Sequence, residues 1–508
     1  MVYAQTLSAK NGDAIPVFCS GKPMHSKYNP QAETLALPPE CTGGFFIIAG
    51  IGAGFHIRTL LQKNPGAAVI AFEDDTASLS FCRQFPLVRE LESAGGRVWL
   101  CTLQELGRSI ISRYAPGIYG DLFFLPQHAW ETENRETCAA AKAIVTESLA
   151  AVSADYSVQA HFGKIWMRNI LLNLSSFSAN PEIHCDTHRT AAVIAAGPSL
   201  DQTAGMLAAK RDSYYIISTD TAYGSLLRRG LTPDAVVSVD GQHISTTHFF
   251  PCPKRSDGAP GTLFIFDICT NAEAVALVRK RGHQVYFVHS GHPLSCLAAE
   301  QAALPYLETG AGTVTIAACD FARRAGFTKL ALFGADFAYS SGKPYTRGSY
   351  LDDQFFASAT RTATAEGAFT ALMYRTELTP LHKAGTFSGE LSRAFTSPVL
   401  SGYEKTLLEW AERHGYALRG GILERAQPDK EQLPAAGNKA FSYAAFMQQW
   451  LSGLQQIPEE QFPPQDAAAY ALLPYIAFLK KSENSGKVPF FTLFKLAYSH
   501  ASRYNHII

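Results

Sequence analysis

The sequence predicts an α/β protein with three parts: an N-terminal Rossmann-like domain, a central doubly wound α/β domain and a C-terminal helical region. Three observations predict it. In residues 191–240, AAVIAAGPSLDQTAGMLAAKRDSYYIISTDTAYGSLLRRGLTPDAVVSVD, three apolar runs alternate with two helix-like segments, the pattern of βαβ units and a parallel sheet. Upstream, FFIIAGIGAGFHIRTLLQK reads as a strand entering a Gly-rich turn and then a helix. Downstream, YAAFMQQWLSGLQQI and AAAYALLPYIAFLKK carry amphipathic helical spacing. The 508 residues suit two or three domains of roughly 100–200 residues each. The divisions fall at 1–150, a helical connector at 151–184, the central domain at 185–430 and the helical tail at 431–508.

In chain order, the first domain has a strand at Phe45–Ala49, a turn through Gly50, Gly52 and Gly54, and a second strand ending on Glu73-Asp74. RVWLCT and GDLFFLP add two further strands. The turn reads G-x-G-x-G and lacks the third glycine of a dinucleotide fingerprint; it looks closer to a methyltransferase nucleotide turn, but Ala49 stands where such enzymes carry an acidic residue, and a ligand-free Rossmann domain is expected over an active one. The connector places Phe162, Ile165, Trp166, Ile170 and Leu174 near helical spacing. The central domain continues with strands GTLFIFDICT, QVYFVHS and KLALFGADF and helices NAEAVALVRKRG and TVTIAACDFARRAG. The long loop AYSSGKPYTRGSYLDDQ after the last of these strands reads as a lid or binding loop.

Lys+Arg and Asp+Glu both number 44, which removes any electrostatic reason to expect nucleic acid or anionic lipid as a partner. The ten cysteines are scattered and form no C-x-x-C pair; they read as reduced thiols in a cytoplasmic protein. No early apolar segment marks a signal peptide, and no run reaches the ~20 apolar residues of a membrane span.

Ligands of open α/β sheets bind outside the carboxyl ends of the strands, and the polar residues of this chain gather there. Gly197-Pro198-Ser199-Leu200 ends one strand and opens a helix, whose free amides suit a phosphate; Ser199 or Asp201 would cap that helix. Asp220 and Asp240 end the next two strands and suit a ribose hydroxyl, a divalent ion or a plain helix cap. Gly334 and Asp336 end a fourth strand; Asp336 is the leading candidate for a catalytic carboxylate, and Tyr339 and Tyr345 could stack on a base or sugar. Gly310 and Thr313 begin a second helix that suits an anion. His289, or His292, is a candidate general base.

VIAAGPSLD, STDTAYGSLLRRGLTPDAVVSVD, TGAGTVTIAACDFARRAGFTKLALFGADFAY and GKPYTRG together resemble the motility accessory factor proteins, flagellin glycosyltransferases built on an MptE-like domain. SKYNPQAETLA and AGIGAGFHIRTLL look like that family's N-terminal domain, and HFGKIWMRNILLNL like its connector. The resemblance covers about residues 20–350. It implies transfer of a nonulosonic, sialic-acid-like sugar from a CMP-activated donor to Ser or Thr of flagellin. The central domain would be similar to bacterial sialyltransferases, with Gly197, Pro198, Ser199 and Leu200 as the donor-binding turn and Asp220, Asp240, Gly334 and Asp336 as site residues. The family follows GADFAY with G-K-x-His; here Tyr345 stands in place of that histidine. The same domain resembles archaeal 6-hydroxymethyl-dihydropterin diphosphokinases, which would bring ATP and magnesium. A flagellar assembly or binding factor with a vestigial sugar site is the non-enzymatic alternative.

Overall fold

A computed structural model describes residues 2–35, 37, 44–93, 96–256, 261–310, 312–381, 385–388, 391, 393–433, 440–457, 466–482 and 488–506. The chain forms two compact units: Met1–Lys164 with Leu451–Ala501, and Ile165–Trp450 with Ser502–Ile508. The helix Arg135–Ser175 supplies residues to both. It absorbs most of the connector expected at 151–184.

In the first unit, β1 (Tyr3–Ser8) and β2 (Ala14–Phe18) form an antiparallel hairpin. Then β3 (Phe45–Ala49), β4 (Ala68–Glu73), β5 (Val98–Thr102) and β6 (Leu122–Pro126) make a parallel sheet in the order β5-β4-β3-β6. Every residue of β3 and β4 is buried, as continuous apolar runs require when helices cover both faces. The Gly-rich turn expected after β3 is present, and the protein's own side chains fill it. Glu73 accepts from Ile51 N at 2.7 Å, Gly52 N at 3.2 Å, the Tyr3 hydroxyl at 2.8 Å and Trp130 Nε1 at 2.8 Å. A Cβ at Gly50 would lie 2.5 Å from Trp130, and one at Gly52 would strike Met24 and His25. His25 Nε2 accepts from Ala53 N at 2.9 Å. The amides that a nucleotide phosphate would use are therefore bonded internally.

The second unit is built on an eight-stranded sheet. Six strands run parallel: β7 (Thr190–Ile194), β8 (Tyr214–Thr219), β9 (Ala235–Ser238), β10 (Leu263–Asp267), β11 (Gln284–Val288) and β12 (Lys329–Phe333). After a short pair, β13 (Thr379–Pro380) and β14 (Phe395–Thr396), come β15 (Ala417–Arg419) and β16 (Ile422–Glu424); β16 pairs antiparallel with β12, and β15 antiparallel with β16. The order is β11-β10-β9-β8-β7-β12-β16-β15. Successive side chains of β7 alternate between two cores, Ala192 and Ile194 on one face and Ala191 and Val193 on the other, as a two-residue pleat dictates. The sheet is thus doubly wound, and the direction of winding reverses between β7 and β12. The loop expected across 338–354 holds a helix from Tyr350, Tyr350–Ser358, which pairs with Ala365–Met373.

The tail is helical at Tyr443–Gln455, Leu473–Ser482 and Phe490–Ser502. Its residues 451–501 belong with the first unit. Among the described residues no helix is long and apolar enough to cross a membrane. No disulfide joins the described cysteines.

Candidate active site

At the switch between β7 and β12 lies a cavity of about 220 Å³. Its walls are Ala195–Gly197 after β7, Gly334–Tyr339 after β12, Thr219 and Thr221 after β8, and Thr313–Thr315 at a helix start. Pro344, Tyr345, Leu400 and Tyr403 complete it. This is the crevice in which open α/β sheets bind ligands.

The two turns that form its floor interlock. Gly197 N donates to Gly334 O at 2.8 Å, and Ala195 N to Phe333 O at 2.8 Å. A Cβ on Gly197 would lie 2.6 Å from the Asp336 carboxyl; one on Gly334, whose φ is +64°, would collide with Ala195 O. The glycines are there because two strand ends approach backbone to backbone.

Asp336 is 4% exposed and lines the cavity. Its Oδ2 accepts from Ser199 N at 2.7 Å, and its Oδ1 from the Ser199 hydroxyl. Burial pushes its carboxyl above the usual carboxylate range, opposed by the two Ser199 bonds. This corrects the expected cap. Neither Ser199 nor Asp201 caps the helix Leu200–Ala209; Asp336 takes the Ser199 amide instead. It also limits the expected phosphate cradle. Gly197 N and Ser199 N are bonded as above, Pro198 has no N–H, and Leu200 N donates to Gly197 O at 3.1 Å.

Next to the cavity, Asp220 opens the helix Asp220–Arg228 and is 2% exposed. It accepts from Thr221 N at 2.6 Å, the Thr221 hydroxyl at 3.0 Å and the Ser238 hydroxyl at 2.6 Å. Asp240 follows β9 and accepts from Gln242 N at 2.9 Å. Burial, and then the Asp220 charge, pushes its carboxyl up. The charges of Asp220 and Asp240 both act on Tyr350, which packs edge-on against His248 with ring centroids 4.5 Å apart. Thr313 caps the helix Val314–Arg324 through Thr315 N and lines the cavity. Gly310 packs beneath Ile316 and is not part of the lining. Tyr339 lines the cavity and exchanges two backbone hydrogen bonds with Phe395. Phe337, also in the wall, holds a left-handed backbone with φ 47°, a strain of about 1–3 kcal/mol that sites of function commonly carry.

His289 does not join this group. It ends β11, five strands from β12 in the sheet order, which is roughly 24 Å at about 4.8 Å per strand. There it lies 3.8 Å from Cys296 Sγ, and burial lowers its pKa. His292 accepts from Leu294 N at 3.1 Å as the cap of the next helix. A base for chemistry in the cavity must come from the β7, β8, β9 or β12 ends. Among the described residues the groups of three metal-ligand side chains lie outside this cavity. One is His25, Glu33 and His56; the other is Glu308, Asp320 and His414. Ala53 N points at His25 Nε2, so the ring proton sits on Nδ1 and is donated to Glu33 at 2.6 Å. Glu308 is engaged by Arg413 at 2.6 Å and Asp320 by Arg323 at 2.7 Å.

Sequence reasoning missed Thr219, Thr221, Leu400 and Tyr403 as wall residues. Thr219 and Thr221 flank Asp220 and carried a signal; Leu400 and Tyr403 come from the helix Pro398–Arg413, whose return to this edge no local pattern reveals.

A family model described as 6-hydroxymethylpterin diphosphokinase MptE-like matches residues 166–342. Two Treponema pallidum (strain Nichols) proteins, both described only as uncharacterized, also match. One is 31% identical over 240 residues, spanning 47% of this chain and 75% of its own; the other is 34% identical over 149 residues, spanning 29% and 71%. The structure of Maf glycosyltransferase from Magnetospirillum magneticum AMB-1 superposes with a TM-score of 0.55 over 99% of this chain and 93% of that one, at 13% identity. That likeness is one of fold. The chain belongs to the family of these treponemal proteins and carries an MptE-like domain within the Maf glycosyltransferase fold.

Proposed function

We propose that this protein is a glycosyltransferase that moves a nonulosonic, sialic-acid-like sugar from a CMP-activated donor to Ser or Thr of flagellin or a similar surface protein, in the cytoplasm before export. The observation that carries this reading is the cavity at the β7–β12 switch with the buried Asp336 in its wall. Tyr339, Tyr345 and Tyr403 give that cavity the aromatic faces that suit a base or sugar ring. The fold likeness to a protein titled a Maf glycosyltransferase supports the same class of reaction.

In this reading Asp336 takes the proton of the acceptor hydroxyl, and its burial-raised pKa suits a general base. The acceptor oxygen bonds to the anomeric carbon as the bond from that carbon to the phosphate oxygen breaks, and CMP leaves with the electron pair. The transition state has oxocarbenium character. Asp240, which follows β9 and whose charge acts on Tyr350, is the second carboxylate assigned to steady it. Gly197, Pro198, Ser199 and Leu200 shape the donor site and hold Asp336.

The test is transfer itself. Purified protein, flagellin and a CMP-activated nonulosonic sugar should give an acceptor heavier by one sugar residue, with release of one CMP each, and Asp336→Asn should abolish both. Unchanged acceptor mass with the wild-type protein rejects the reading. The MptE-like match favours a second reading, a diphosphokinase; it requires AMP release from ATP, strictly dependent on Mg²⁺. A flagellar binding factor would bind flagellin and turn over neither donor.

A further inference from the structure

The segment after β12 brings more positive charge to one carboxylate than that carboxylate can neutralise. Asp201 accepts from Arg229 Nη2 at 2.6 Å, the Thr346 hydroxyl at 2.5 Å and Arg347 N at 2.9 Å. Lys343 Nζ lies 3.8 Å and Arg347 Nε 3.9 Å from the same group. Three cationic side chains share one negative charge.

Their footing differs. Arg229 is fixed, since it also donates to Ser225 O at 2.9 Å and Arg347 O at 2.8 Å. Lys343 and Arg347 stand beyond hydrogen-bond distance of Asp201, and the Arg347 side chain is 76% exposed. Among the described residues, Asp201 is the only carboxylate within 4.0 Å of either. The neighbouring acids are occupied: Asp353 pairs with Arg228, and Asp352 accepts from Gly348 N at 2.6 Å.

Position gives these cations a use. Pro344 and Tyr345, between them in sequence, are cavity wall. Thr346 N donates to Ala196 O at 2.8 Å and Thr346 is fully buried, so the middle of the segment is anchored while its flanking cations stay loosely held. The amides of the neighbouring helix start, at 197–200, are already taken.

We propose that Lys343 and Arg347 form an oxyanion subsite for the phosphate group of a nucleotide ligand, with Asp201 as the resident counter-charge that the phosphate displaces. A guanidinium and an ammonium provide a fork and a point charge for phosphate oxygens. The inference rests on the nucleotide reading of the cavity and names the residues that meet its phosphate.

The experiment is calorimetric titration of the full-length protein with CMP, cytidine and inorganic pyrophosphate. It compares wild type, the double variant Lys343→Ala/Arg347→Ala, and Asp201→Asn. Wild type should bind CMP at least about tenfold tighter than cytidine. The double variant should lose that ratio while its cytidine affinity holds. Asp201→Asn should bind CMP and pyrophosphate more tightly: the competing charge is gone, and the amide oxygen still accepts from Thr346 and Arg347 N. A merely structural Asp201 would weaken both. An unchanged CMP-to-cytidine ratio in the double variant, or weaker anion binding by a stably folded Asp201→Asn, overturns the proposal. If neither nucleotide binds wild type, the nucleotide reading fails separately and pyrophosphate decides the subsite. Binding lost in the double variant sustains it; equal binding in both, or none to wild type, overturns it.

Discussion

Two demands meet in the carboxyl of Asp336. It holds the end of β7 by accepting from Ser199 twice, and it faces the cavity in which it is proposed to act as the base. Asparagine separates the two. Its oxygen can keep the Ser199 amide and its NH₂ can donate to the Ser199 hydroxyl, so Asp336→Asn should remain folded to within about 1 kcal/mol in urea titration. Turnover should fall by about 10²–10⁴ if the carboxylate is the base. His56 gives a residue-scale prediction in the first unit. It is 1% exposed, its Nε2 bonds to Gly50 O at 3.0 Å, and burial lowers its pKa to about 3. The unfolded chain takes up that proton near pH 6.5 and the folded chain only near pH 3. Stability is therefore lost as pH falls through this window, at up to ~1.4 kcal/mol per pH unit. His56→Gln keeps a donor for Gly50 O, and melts between pH 7 and 5 should show a shallower loss.

At the scale of elements, the strand ends carry the account. Gly197→Ala and Gly334→Ala each place a methyl group against backbone of the other turn, and each should cost about 2–4 kcal/mol, read as a lower urea midpoint at unchanged slope. Glu73→Gln sets an NH₂ group against one of the donors that now point at the carboxylate; about 1–3 kcal/mol should be lost in the same measurement. The strands themselves were legible in the sequence, because apolar runs bounded by Gly and Asp mark buried parallel strands. Which strand lies beside which was not. Ser199 and Asp336 are 137 residues apart, and the sequence shows that both end strands without showing that β7 and β12 are neighbours. For the same reason His289 read as a site residue: a histidine after a strand looks alike at the centre and at the edge of a sheet. The last two strands at one end of the sheet, β16 and the edge strand β15, are three residues each, too short for a periodic signal.

Across the whole molecule, helical spacing marked the tail as helical but said nothing about what its apolar faces pack against. The structure answers at Gly163, where the helix Arg135–Ser175 meets the backbone of Pro474 so closely that a Cβ would collide with it. Gly163→Leu should therefore unfold the first unit at lower temperature and leave the second unit's melting unchanged. Composition gives the neutral net charge because charge is a sum over residues; the filled Gly-rich turn could not be foretold, since it depends on Trp130 and His25 arriving from distant segments.

In the proposed function the β7–β12 cavity holds a cytidine nucleotide. The most direct measurement is thermal unfolding of wild type and Leu400→Trp with CMP or with ATP and Mg²⁺; the substitution fills one wall of the cavity. CMP at about 100 times its Kd should stabilise wild type by ~2.7 kcal/mol and leave Leu400→Trp unmoved. A wild-type protein indifferent to CMP, or stabilised only by ATP with Mg²⁺, would contradict the account.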